Sequence, residues 1–200
     1  PAVKRLPLRV MVVNPVAGAA VMLGASQWLV IGVLDSIWAR YVSDLGGSVS
    51  FIGLSFLALV VPTIILTPLA GRLADRRNPL RIAMIALVVE APLVGALGAA
   101  GGLSILIVVA ILQAVVFPFI NTPAEVAMAR ASPPGQVAEA QGLIQAVGLL
   151  AAGIGAVTAP AIYASAGPAW LTGGVMLLLV IVAWLVRLAK TRWDPILEGG

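Results

Sequence analysis

Long apolar runs alternate with short polar clusters along most of the chain, and the spacing of the clusters predicts the elements. Six runs stand out, at about 16–39, 50–70, 80–100, 103–121, 141–163 and 169–187. Each is close to the roughly 20 residues that carry a helix, at about 1.5 Å per residue, across a hydrocarbon core about 30 Å thick. The expected fold class is therefore an all-α membrane protein, with a six-helix transmembrane bundle over 16–189. Residues 1–15 read as a basic linker segment at the membrane surface and 190–200 as a charged tail. Pro62 and Pro68 inside the second run mark bends, tolerated because neighbouring helices satisfy the freed carbonyls. Gly95, Gly98, Gly101 and Gly102 crowd the far end of the third run, and the fourth follows after almost no loop. Gly142, Gly148, Ala152, Gly153, Gly155 and Ala156 give the fifth a small-residue face for close helix approach, whereas the sixth reads as lipid-facing. The longest polar stretch, TPAEVAMARASPPGQVAEAQ, is expected in the cytoplasm as two short helical pieces around the Pro133-Pro134-Gly135 turn.

Composition narrows the reading further. With 61% hydrophobic and 10% charged residues and a mean hydropathy of +1.10, the chain belongs in a bilayer. A pI near 10.4 invites a nucleic-acid reading, but the bases sit at helix ends rather than on one soluble face. They report orientation instead. Lys4, Arg5, Arg9, Arg72, Arg76, Arg77, Arg81, Arg130, Arg187, Lys190 and Arg192 fall on one side of a six-span topology and Arg40 alone on the other. Both termini of this multi-pass chain are thus expected in the cytoplasm, across a bacterial-type inner or plasma membrane. The absence of Cys and His removes thiolates, imidazole bases and the usual transition-metal ligands, so neither an enzyme nor a metal site is expected. No phosphate-binding Gly-rich, Lys-Ser loop occurs, no cofactor is expected, and ATP is not the direct energy source. The chain begins at Pro1 rather than Met, which suggests a piece of a longer protein and supports no signal peptide.

The stretch GRLADRRNPLR packs Arg72, Arg76, Arg77, Arg81 and Asp75 between two runs almost free of charge, and reads as a tight charged turn. Gly71, Leu73, Ala74, Asp75 and Arg76 resemble the loop signature of the major facilitator superfamily, a Gly, three residues, then Asp-Arg. The plain alternative is a generic positive cytoplasmic turn. The family pattern continues with a Gly and two basic residues, whereas here Asn78 stands at the Gly position, with a base only at Arg81. Asn visits left-handed backbone more readily than other non-Gly residues, so the bend is expected to persist. The resemblance implies a gating loop of Gly71, Asp75, Arg76, Arg77 and Arg81, the aspartate capping a neighbouring helix and the arginine pairing across the cytoplasmic face.

The resemblance also implies that the first and fourth helices line a central cavity while the third and sixth sit outside. The residue pattern points to the same two helices. Gly24, Gln27, Ile31, Asp35 and Trp38 fall in a stripe about 80° wide, and Gln113, Phe117 and Asn121 recur at i, i+4 and i+8. Gln27, Ile31, Trp38, Gln113, Phe117 and Asn121 are the expected cavity lining; alternatively, the amides simply bond across helices at about 0.6 kcal/mol each. Glu90 lies near the bilayer midplane, where a bare carboxylate must be protonated, hydrated or paired. With no Lys or Arg at its depth, it either carries a proton or finds its partner in another polypeptide or a missing half. Asp35 is nearer the outer interface, within reach of hydration or of Arg40. Asp35 and Glu90 are the candidates for proton coupling. The run from Val33 to Arg77 resembles the seventh and eighth helices of drug exporters, and the run from Ser132 to Gly167 their tenth-to-eleventh region. The fourth helix lacks the arginine usual in exporters' first halves, and Ala159-Pro160 only echoes their Gly-Pro pair, so the C-terminal half is favoured. The implied activity is secondary transport of a small amphipathic solute by alternating access, in the form of proton-coupled drug efflux. The implied partners are substrate, protons, the lipid bilayer and the other six-helix half. A non-transporting membrane scaffold built on the same helices is the reading from a different class.

Overall fold

A computed structural model describes residues 14–188; the expected basic segment before Asn14 and the expected tail at 190–200 lie outside the described residues. The helices are α1 Pro15–Asp44, α2 Val49–Arg76, α3 Pro79–Gly98, α4 Leu103–Val116, α5 Pro118–Ala131, α6 Val137–Ala166 and α7 Pro168–Leu188. α4 and α5 form one span, Leu103–Ala131, so six apolar helices of membrane-crossing length run up and down. α4 and α5 meet at Phe117, just before Pro118, whose ring nitrogen has no hydrogen to continue the ladder.

Helix starts follow from local chemistry. The Asn14 carboxamide accepts from Val16 N–H at 2.9 Å ahead of Pro15, and the Ser48 hydroxyl accepts from Phe51 N–H at 3.2 Å. Asn78 does the same for α3, accepting from Arg81 N–H at 3.2 Å ahead of Pro79. Its backbone is extended (φ −64°, ψ 110°), and no described non-glycine residue has positive φ. The expected left-handed Asn78 is therefore corrected: the bend is made by two extended residues, Arg77 and Asn78, and Asn78 is a helix cap. Left-handed backbone appears instead at Gly135, in the Pro-Pro-Gly turn, and at Gly167, the one residue between α6 and α7.

Several helices outrun the apolar segments that announced them. α1 continues to Asp44, α2 carries the charged stretch through Arg76, and α5 takes residues 122–131 of the polar stretch as helix. The end of an apolar run does not end helix formation: Val42, Ala74, Ala124, Ala127 and Met128 stay buried in these extensions, and Ala, Arg, Glu, Leu and Met favour helix. The supposed charged turn is thus the last turn of α2 plus two residues.

α1 is the central helix and lies along α6. The approach is close because side chains are missing where backbones meet. A Cβ on Gly32 would overlap the Ala152 carbonyl, and one on Gly148 would overlap the Trp28 indole. α3 packs on α7 in the same way, with Gly98 against Thr172 and Pro168. Leu23, Ile37, Leu80, Leu87, Leu97, Leu106, Ile120 and Leu179 fill the core between them. α2 is the least covered helix: only Ser55, Ala70 and Ala74 are buried, while Leu54, Leu57, Ile64, Ile65 and Leu69 are exposed.

At the end away from most of the arginines, α1, α3 and α6 are tied together. Tyr41 donates its hydroxyl to the Leu97 carbonyl at 2.6 Å, and Tyr163 donates to Asp44 Oδ2 at 2.7 Å. The two rings meet edge to face at 5.8 Å, and the Arg40 guanidinium lies 5.3 Å from the centre of the Tyr163 ring.

Candidate functional site: a cleft backed by a buried carboxyl

α1, α2 and α4 enclose a cleft of about 280 Å³. Each helix supplies one face at helical spacing: Ile31, Asp35 and Trp38 from α1; Phe56, Leu59, Val60 and Thr63 from α2; Ala110, Gln113 and Ala114 from α4, with Phe117 at its end. The lining is largely apolar and aromatic. Asp35, Thr63 and Gln113 supply most of its polar groups, since the Trp38 indole N–H is occupied by Ser55 Oγ at 2.8 Å. Ser55 in turn donates to the Ile52 carbonyl, which fixes the rotamer that receives Trp38. Four expected lining residues, Ile31, Trp38, Gln113 and Phe117, therefore stand on one cleft together with Asp35.

Gln27 lies behind that cleft, fully buried against Glu90. Glu90 occupies the inner face of α3, in register with Ala83, Ala86, Leu87, Val94 and Leu97, and no part of it is exposed. Gln27 Nε2 donates to Glu90 Oε2 at 2.6 Å, and Gln113 Nε2 donates to Oε1 at 2.9 Å. Glu90 was expected either to carry a proton or to find its partner in another polypeptide or a missing half; two neutral amides of the same bundle hold this carboxyl. Gln113 also faces the cleft, so it connects the cleft to Glu90. Gln27 Oε1 is buried without a hydrogen-bond partner. Such an orphaned acceptor beside a carboxyl is unusual, because buried polar atoms are nearly always paired.

Two other expectations meet different partners. Arg40 Nε lies 3.8 Å from Asp44 Oδ2, so its ion pair is with Asp44 rather than Asp35, which remains exposed toward the cleft. Asn121 stands off the cleft, where its amide donates to Glu125 Oε1 at 3.2 Å. Gln145 Nε2 donates to the same oxygen at 3.2 Å, and Gln141 Nε2 to the Glu125 carbonyl at 2.9 Å, which joins α5 to α6. Glu125 was missed because its stretch reads as lying outside the membrane. Its signal was the i, i+4 spacing of Asn121 with Glu125 and of Gln141 with Gln145.

Of the expected gating residues, Gly71 lies within α2, and a Cβ there would meet Thr122 only at ordinary contact distance. Asp75, Arg76, Arg77 and Arg81 are exposed at the arginine-rich end. Among the described residues Asp75 forms no side-chain ion pair, and the cap of α3 is Asn78. Cross-helix bracing comes instead from Arg130 of α5, whose guanidinium donates to the Ala74 and Asp75 carbonyls at 2.9 Å each. A cation on the carbonyls that close a helix is favourable in both hydrogen bonding and dipole terms.

A family model described as Major Facilitator Superfamily matches residues 16–200 of the chain. Neither the curated proteins nor the solved structures give a match.

Proposed function

Given that the chain belongs to the Major Facilitator Superfamily, a family of membrane transporters of small solutes, we propose that it acts in proton-coupled efflux of amphipathic, drug-like compounds. It does so as one six-helix half, favoured as the C-terminal one, that rocks against a second half about a site near the midplane. The observation that carries the proposal is the link from the cleft through Gln113 to the buried Glu90 and on to Gln27.

The cleft suits a solute with an apolar body and a polar or cationic group. Trp38, Phe56 and Phe117 offer aromatic surface, and Asp35 offers a carboxylate at one edge. Glu90 reads its proton state through hydrogen bonds. As a carboxylate it accepts from both amides and ties α1 and α4 to α3. Once protonated, one oxygen becomes a donor and needs an acceptor, and the unpartnered Gln27 Oε1 supplies one when the amide turns over. Protonation thereby rewrites the α1–α3 contact, a local change that a two-state bundle can amplify. The arginine-rich end is the cytoplasmic end in this reading, by the excess of bases there.

Reconstitution of the full-length protein in proteoliposomes tests the coupling. Glu90→Gln keeps the size of the side chain and stands in for its protonated form, with one acceptor and one donor end, but cannot ionise. Flux driven by a pH gradient is expected to fall to background in this variant, while substrate exchange without a gradient continues. Full gradient-driven flux in Glu90→Gln overturns the assignment.

A further inference from the structure

The transport reading makes no use of the side of the bundle formed by α3 and α7. Between these helices runs an apolar groove of about 400 Å³, lined by Ile85, Val88, Val89, Val180 and Trp184 with Arg187 at one end. Its walls are open to the surroundings, Ile85 and Val88 each being 60% exposed. At the arginine-rich end a second depression of about 390 Å³ shares Ile85 and is lined by Arg77 and Arg81. Three arginines therefore line one end of an apolar track. Among the described residues, no acidic side chain lines either depression.

We propose that this groove is a binding site for an anionic phospholipid, with one acyl chain along α3 and α7 and the phosphate held by Arg81, Arg77 and Arg187. From Arg81 to Val89 the helix rises about 12 Å, most of the roughly 15 Å depth of one leaflet. Any bilayer lipid satisfies the aliphatic wall. The charge selects among lipids, because guanidinium forks match phosphate oxygens and basic pockets at helix ends recruit anionic headgroups. Trp184 lies on the groove close to Arg187, where an indole meets both hydrocarbon and the interface.

Trp184 is also the reporter. The protein is reconstituted in nanodiscs of phosphatidylcholine containing a minor fraction of either brominated phosphatidylglycerol or brominated phosphatidylcholine. Quenching of the Trp184 signal is taken as the difference between the wild-type protein and Trp184→Phe. Brominated phosphatidylglycerol is expected to quench that signal selectively, and the preference should fall roughly fivefold for each arginine removed by Arg81→Gln and Arg187→Gln. Arg81→Lys with Arg187→Lys should retain most of it, which separates loss of charge from damage to the fold. Equal quenching by the two lipids, or an unchanged preference in the Arg81→Gln, Arg187→Gln variant, overturns the proposal. So does abolition of the preference by inorganic phosphate alone, which would mark a site for a free anion.

Discussion

Glu90 shows how much of a buried charge a sequence discloses and where it stops. Its depth in an apolar run was legible, and so was the absence of a basic partner. Its actual partners were not, because Gln27 and Gln113 lie 63 and 23 residues away and only the packing of α1, α3 and α4 brings them together. Asn121 fits the same i, i+4 series as Gln113 yet donates to Glu125, one turn further along its own helix. If the Gln27–Glu90 contact is a true coupling, Gln27→Leu should lower stability by about 1 kcal/mol in the wild-type background and by much less in Glu90→Leu, which has no group left to pair with Gln27. Thermal unfolding of the four proteins in detergent closes the cycle. A coupling energy of zero would remove Gln27 from the proton-reading assembly.

Among the helices, the small residues of α6 carry meaning that composition alone suggested and only the packing resolves. Gly148 and Gly155 meet α1, whereas Gly142 and Gly153 face open space. The sequence offered all four as equivalent, since a small-residue face and a scattering of glycines look alike until the partner helix is in place. On α1, Gly32 lies where a side chain would overlap the Ala152 carbonyl. Gly32→Val should separate α1 from α6 at a penalty of about 1–3 kcal/mol, seen as a lower midpoint of thermal unfolding in detergent. Gly153→Ala should leave the midpoint unchanged or raise it slightly, because the added methyl meets nothing and helix propensity improves. Equal losses in both variants would count against the close approach. Helix ends were the least legible feature: the hydrophobic pattern marks where the membrane stops, while caps such as Asn14, Ser48 and Asn78 mark where a helix begins.

For the molecule as a whole, the six spans follow from run length, and the uneven spread of bases gives an orientation that labelling can check. These 200 residues contain no cysteine, so a single replacement among them adds the one thiol they present. Ser43→Cys should react with an impermeant maleimide on intact cells, whereas Pro134→Cys should react only after permeabilisation; the reverse pattern would invert the topology. The connection at Gly167 then sets how the bundle can move. One residue between α6 and α7 leaves no slack, so neither helix slides along its axis without dragging the other. α6 is seated on α1, which lines the cleft, and α7 on α3, at the periphery. In the proposed transport cycle, a tilt of α1 that carries α6 with it is therefore passed through the Gly167 connection to α7, and the surrounding membrane bears part of the motion.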